Sequence, residues 1–303
     1  MSMTLTLLGT GTPAPSARRA GSSYLVRFDG RTLLFDCGPG AYSRLLQTQA
    51  LPGDISHLFL THLHYDHCAD YGVFELVRWD QAAGNGAELE VVGPGGTRQM
   101  TERLFGADGA FAADIAARTR HPASREIFER RGGRGVRRAP APRVTEWEDG
   151  LVYEGDTWRV RAAPMVHCEP YLHSLAYRLE TPFGTVVFGA DTAPNSRLTG
   201  LARNADVLVH MCHFLNGPGV DPRMSASCSG HLDAAVTARE ADVRKLVLVH
   251  LAPEMDAPGN QERVRMEAAA AFSGPIIVGE DLLTIAVADG KRPAISRRTA
   301  HQR

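Results

Sequence analysis

The sequence predicts an α/β protein in which two mixed sheets pack face to face with helices outside. Apolar runs read as strands at 4–8, 23–28, 32–36, 56–60, 89–92, 157–163, 175–180, 185–189, 207–210, 245–250 and 276–278. Apolar residues at helical spacing predict helices over 41–49, 70–81, 97–105, 194–203, 232–241 and 260–272. The early strands form hairpins, and Asp29-Gly30 between two of them is a strong tight-turn signal. After that, strands alternate with helices, which is the pattern of parallel pairing.

At 303 residues and 44% hydrophobic content the chain can bury a large core, and length alone permits one domain or two. One domain over 1–290 is expected, with an Arg-rich insertion at about 106–147 and a basic tail over 291–303. The start lacks a basic stretch followed by an apolar one, and no apolar run approaches the ~20 residues of a membrane span. A cytoplasmic protein with no membrane contact is therefore expected. The five cysteines, Cys37, Cys68, Cys168, Cys212 and Cys228, are odd in number and widely spaced. They argue against a disulfide framework and read as small buried side chains.

Net charge is −1, so the chain as a whole is no electrostatic trap for nucleic acid. The distribution is uneven. Nine arginines between Arg118 and Arg143 meet only Glu126 and Glu129, a local +7 that leaves −8 elsewhere. Gly132-Gly133, Gly135 and Pro140-Ala141-Pro142 require part of this stretch to be loop. A solvated basic face, a lid over the site, a dimer contact and an anion-binding arm all stay open for it.

The most informative stretch is Thr61-His62-Leu63-His64-Tyr65-Asp66-His67, directly after the apolar run His57-Leu58-Phe59-Leu60. Neutral imidazole and carboxylate are ligands that Zn²⁺ accepts at about 2.0–2.2 Å. In an extended segment His62 and His64 point the same way and can grip one ion together. Asp66 and His67, one turn on, are placed for a second.

The H-x-H-x-D-H string at a strand end resembles the metallo-β-lactamase superfamily. So do Leu7-Leu8-Gly9-Thr10-Gly11-Thr12-Pro13, Leu33-Leu34-Phe35-Asp36-Cys37-Gly38-Pro39-Gly40, Val166-His167, Phe188-Gly189-Ala190-Asp191-Thr192 and Leu246-Val247-Leu248-Val249-His250, in that order. The opening looks like the ribonuclease Z and arylsulfatase-like branch. The resemblance implies an αβ/βα four-layer sandwich. It also implies two Zn²⁺ per chain: His62, His64 and His167 on one, Asp66, His67 and His250 on the other, and Asp191 bridging. Such a pair activates a shared water as metal hydroxide, so Asp66 is counted with the catalytic residues and no nucleophilic Ser or Cys is needed.

His231, in Ser229-Gly230-His231-Leu232-Asp233, matches the start of the His-Ser-Thr motif of ribonuclease Z and is expected to protonate a leaving group. Three departures count against RNA cleavage. Ser-Thr is replaced by Leu232-Asp233, His-Glu-Ala-Thr becomes His210-Met211-Cys212-His213, and no Pro-x-Lys-x-Arg-Asn motif is found. The loop 213–224 with Tyr71, Phe74 and Trp79 suggests an apolar or aromatic pocket; ordinary core is the other reading of these aromatics. The expectation is a zinc-dependent hydrolase of a small organic substrate, cleaving an ester- or lactone-like bond or an activated aryl leaving group, dehalogenation included. Nucleic acid is not the expected partner, and a homodimer stays open. The alternatives are a ribonuclease Z-type phosphodiesterase acting on tRNA or a small diester, and a non-catalytic metal-binding scaffold.

Overall fold

Short β-branched and apolar runs buried on both faces can only pair inside a layered molecule, and these runs do. The computed structural model describes residues 2–84 and 86–288; the basic tail expected at 291–303 lies outside the described residues. The first sheet runs β14 (Thr284–Ala286), β1 (Thr4–Gly9), β2 (Ser23–Phe28), β3 (Arg31–Phe35), β4 (Ile55–Phe59), β5 (Glu90–Gly93), β6 (Arg143–Glu146). The second runs β13 (Ile276–Val278), β12 (Lys245–Val249), β11 (Val207–Met211), β10 (Gly184–Phe188), β9 (Leu175–Thr181), β8 (Arg159–Pro164), β7 (Gly150–Glu154). Each sheet has antiparallel pairing up to β3 or β10 and parallel pairing beyond it.

Helices α1 (Ala41–Gln47), α2 (Tyr65–Cys68), α3 (Tyr71–Ala82), α4 (Thr97–Phe105), α5 (Ala112–Arg120) and α6 (Pro122–Arg130) belong to the first half. Helices α7 (Ser196–Ala202), α8 (Pro222–Ser225), α9 (His231–Glu240) and α10 (Asn260–Ala271) belong to the second. Leu45, Tyr71, Phe74 and Phe105 pack between the first sheet and its helices. On the other side Leu198, Ala234, Ala238 and Val264 do the same, small alanines letting α9 lie close. Between the sheets, an aromatic stack crosses the seam. Phe35 lies 4.8 Å from Phe59 and 4.0 Å from Phe188, which is 5.6 Å from Tyr24, centroid to centroid. The architecture is a four-layer αβ/βα sandwich.

The Arg-rich segment is more ordered than its glycines suggest. It folds into α5 and α6 and then supplies β6 to the sheet edge. Asp80, at the end of α3, receives Arg118 at 2.9 Å, Arg131 at 3.0 Å and Arg137 at 2.6 Å. Arg137 also lies 4.3 Å over the Trp79 ring. Several of the arginines are thus structural anchors of the insertion. Tyr71 and Phe74 are fully buried, and Trp79 is held beneath Arg137 with its indole N–H on the Arg138 carbonyl. Tyr71 and Phe74 are core, and the half-buried Trp79 faces the insertion, so the three do not form the expected pocket with the 213–224 loop. Phe214, from the 213–224 loop, joins a small cluster with Met211 and Cys228.

Candidate metal centre

All seven residues expected as ligands meet at the carboxyl ends of the strands, where layered α/β sheets place their sites. Past β4, Leu60 N–H bonds the Val92 carbonyl at 2.7 Å, and Thr61 bonds Asp36 through its N–H (2.7 Å) and its hydroxyl (2.9 Å). That fixes the direction of His62 and His64. The single turn of α2 then swings Asp66 and His67 inward, both buried. His167 follows β8, Asp191 follows β10 and His250 follows β12. Two of these strand ends turn through left-handed backbone, at Ala190 (φ 58°) and His250 (φ 53°). Such conformations are sparsely populated by non-glycine residues and persist where the surroundings enforce them.

The donor atoms form three overlapping groups: His62, His64 and His167; His62, His67 and Asp191; Asp66, His67 and His250. His64 Nδ1 stands 3.1 Å from His62 Nε2 and 3.2 Å from His167 Nε2. His250 Nε2 stands 3.2 Å from Asp66 Oδ2 and 3.0 Å from Asp191 Oδ2. Asp191 also lies 3.6 Å from His67, 3.9 Å from His167 and 4.0 Å from His62. Ligands held at about 2.0–2.1 Å around a tetrahedral ion are roughly 3.3 Å apart, so this spacing fits a shared cation.

Two further observations test the fit. His67 Nε2 and Asp66 Oδ1 are buried with no hydrogen-bond partner among the described residues, although such groups are normally satisfied. The outward nitrogens, by contrast, are occupied. His67 Nδ1–H donates to Asp36 Oδ2 at 2.8 Å, and His167 Nδ1–H to the Ser227 carbonyl at 2.8 Å. His62 Nδ1 stands 3.0 Å from the Thr61 hydroxyl, and His250 Nδ1 stands 3.3 Å from His213 Nδ1. Outer partners of this kind set the tautomer and ring direction of metal-binding histidines.

The electrostatics agree. Burial pushes His62 well below its usual range. Burial acts the same way on His250, but the Asp191 carboxylate more than offsets it and lifts the imidazole to about 9. His67 is raised well above its usual range, again with Asp191, then Asp36, outweighing burial. Asp191 itself is held well below the carboxylate range, because His250 and His67 overcome its desolvation. The Asp191, His67 and His250 side of the site thus favours positive charge, whereas burial holds His62 and His64 below the usual imidazole range.

Residues 17–250 match the model of the metallo-beta-lactamase superfamily. The chain belongs to that superfamily. A Ribonuclease Z from Mycobacterium sp. (strain KMS) is 35% identical over 94% of this chain and 96% of its own length. One from Mycobacterium bovis (strain BCG / Pasteur 1173P2) is 35% identical over 93% and 98%. Among solved structures, human tRNase Z, short form, superposes with a TM-score of 0.68 at 21% identity, covering 94% of this chain and all of that one. A metallo-beta-lactamase fold protein from Bacillus subtilis gives 0.72, likewise at 21%, covering 94% and 99%.

Within this superfamily member, His231 is placed apart from the ligand groups. It is fully buried. Its Nδ1 accepts the Asn216 N–H at 3.2 Å, and its Nε2–H donates to Glu267 Oε2 at 2.7 Å. Both nitrogens are committed, so this arrangement leaves none to protonate a leaving group. Glu267 on α10 thus gives His231 a carboxylate partner that nothing in the local sequence around His231 announces. Met211 is buried beneath the site, its sulfur 3.0 Å from the Thr192 N–H. Two contributors escaped the sequence reading. Asp36 was visible only as a strand end within the 33–40 motif, and His213 only as the last position of an altered one. Pro15-Ser16-Ala17-Arg18-Arg19-Ala20 keeps the proline and arginine of Pro-x-Lys-x-Arg-Asn, with alanine at the Lys and Asn positions. All five cysteines are free, and all but the half-buried Cys168 are buried. No helix among the described residues is long and apolar enough to cross a membrane.

Proposed function

We propose that this chain is a metal-dependent phosphodiesterase of the ribonuclease Z type. Two zinc ions would be held by His62, His64 and His167 and by Asp66, His67 and His250, with Asp191 between them. The observation that carries the reading is a complete donor set in adjoining groups on a chain 35% identical, over 94% of its length, to proteins named Ribonuclease Z. When bound, such ions polarise the phosphoryl group and make a nucleophile available near neutral pH. The chain's own residues do the rest. Asp36, Thr61, the Ser227 carbonyl and His213 fix the ring directions of His67, His62, His167 and His250. Asp66 keeps Oδ1 free to hold a metal or a proton. His231 acts as a positioning residue, tying the 213–217 loop to α10.

This reading reverses the expectation about nucleic acid: an RNA diester stands as a substrate beside small diesters. Cytoplasmic location and a single domain over 1–290 belong to the same proposal. A second reading, hydrolysis of a small aryl ester, lactone or haloaromatic, is favoured by one observation. With Met211 at the acidic position and His231 tied up, no proton donor is aimed at a poor leaving group from these positions.

The deciding experiment assays zinc-loaded protein on bis(4-nitrophenyl) phosphate, 4-nitrophenyl acetate, a lactone, a haloaromatic and a 3′-extended precursor tRNA. Diester turnover lost on chelation and restored by zinc is the expected result. Turnover of the ester, lactone or haloaromatic without any diester cleavage would favour the second reading. Unchanged diester turnover in metal-free protein would sink the metal assignment.

A further inference from the structure

The 62–67 segment lines two cavities. One, of about 590 Å³, reaches Tyr65 and Asp66 and is walled by Pro13, Pro15, Ala17 and Pro39. The other, of about 480 Å³, shares none of those lining residues and lies against Leu63, the residue between His62 and His64. Its apolar surface comes from Leu63, Met100 and Leu172, and its polar groups are Gln99, Arg103 and His173. Leu172 and His173 belong to the loop that leaves His167. That loop is pinned back to the site, because the Ser174 hydroxyl bonds the Asp191 carbonyl at 3.0 Å and Leu175 N–H bonds the Thr61 carbonyl at 2.8 Å. The second cavity is therefore walled by segments that also carry ligands.

The cavities differ in what they offer a ligand. In the first, the cations are already engaged: Arg19 makes paired bonds to Asp256 at 3.0 and 2.6 Å, and Arg44 bonds Asp281 at 3.1 Å. In the second, Gln99, Arg103 and His173 are exposed, and none makes a side-chain hydrogen bond or ion pair among the described residues. Tyr171, which also lines this cavity, is 94% exposed, so its ring face is open to a stacking partner. A substrate with a single arm leaves one cavity unused; a phosphodiester has two arms.

We propose that the cavity between α4 and the 168–173 loop is a subsite for one arm of the phosphodiester, and that this arm is a heteroaromatic base. Leu63 and Met100 give its ring an apolar surface, and Tyr171 gives a stacking face. The Gln99 amide both donates and accepts, and the Arg103 guanidinium donates, so together they read the polar edge of a base. About 480 Å³ is room for a nucleoside within the ordinary range of small-molecule pockets. This subsite rests on the phosphodiesterase reading above.

Two diesters with the same leaving group isolate the arm: thymidine 5′-(4-nitrophenyl) phosphate and methyl 4-nitrophenyl phosphate. On zinc-loaded protein the first should exceed the second in kcat/KM by about tenfold, the scale of one base–aromatic contact. Arg103→Ala, and separately Gln99→Trp, which fills the mouth, should bring the ratio close to one by raising KM for the nucleoside diester, with zinc content unchanged. Binding of thymidine 5′-monophosphate, followed by calorimetry, should weaken by a similar factor. Equal kcat/KM for the two diesters, or a preference that survives both substitutions, would overturn the subsite while leaving the phosphodiesterase intact. No turnover of either diester by the zinc-loaded protein would remove both.

Discussion

The two halves of the molecule contribute to one site through related turns put to different uses. In the first sheet the change from antiparallel to parallel pairing falls at β3, and in the second at β10. Each of these strands is followed by an aspartate at or beside a left-handed residue: Asp36 at φ 56°, and Asp191 after Ala190 at φ 58°. Asp36 turns back to hold Thr61 and His67, whereas Asp191 faces four imidazoles. Equivalent turns thus give a buttress in one half and a proposed ligand in the other. The first half gathers its four proposed ligands in one short segment, while the second spreads its three over separate strand ends. Local sequence builds the former, and strand register builds the latter.

The largest effect should come from Asp191→Ala. Diester turnover should fall by about 10³-fold or more and at least one zinc should be lost, since truncating a residue shared by several ligands leaves their charges unbalanced. Metal analysis beside steady-state kinetics checks this, and retention of both ions would break the assignment. Asp36→Asn should be milder, weakening zinc binding by about 10–100-fold with activity recovering in excess zinc. A chelator competition measures it; if this variant were as damaged as the first, the contrast between buttress and ligand would fail.

A third test lies in the first half alone. Glu75 on α3 is fully buried, and burial pushes its carboxyl up to about 8, the nearby Arg78 only partly opposing this. Because the folded pKa lies above the unfolded one, this group does not weaken the fold below about pH 4.5. It reduces stability progressively as pH rises from there toward 8. Glu75→Gln should remove that decline and stabilise the protein by on the order of 2 kcal/mol at pH 8 relative to pH 5. Urea titrations at the two pH values read it out, and a variant that tracks the unsubstituted protein at both would refute the burial account. The smallest effect should be His231→Ala, a loss of severalfold that is equal for diesters with good and poor leaving groups. A loss confined to poor leaving groups would restore the proton-donor role.

The same contrast explains what could be read in advance. Four of the seven proposed ligands stand in one string beside an apolar strand, so residue chemistry alone points to a metal. His167, Asp191 and His250 became legible only through an ordered resemblance, because a single histidine or aspartate carries no such signal. Strands β6, β7 and β14 escaped. β6 is largely exposed and polar, and β14 is a three-residue strand at the sheet edge. α5 and α6 were hidden by frequent arginines: Arg118 of α5 and the Arg131 and Arg137 that follow α6 find their partner Asp80 far back in the chain, while Arg125 and Arg130 of α6 pair locally with Glu129 and Glu126. Glu267 reaches His231 across 36 residues, a pairing that only the packing of α10 on α9 creates.

The aromatic stack across the seam has one more consequence. Phe35, Phe59 and Phe188 are the last residues of the strands that lead to Asp36, to His62 and to Asp191. Strand pairing already spaces Phe35 from Phe59, so it is the 4.0 Å Phe35–Phe188 contact across the seam that bears on how far Asp191 stands from the His62–His67 segment. The interior works here as a spacer gauge, and a site of fixed gauge discriminates between ions by size. Trimming Phe188 to leucine would then change not only how firmly the sheets adhere but also which divalent ion the centre prefers.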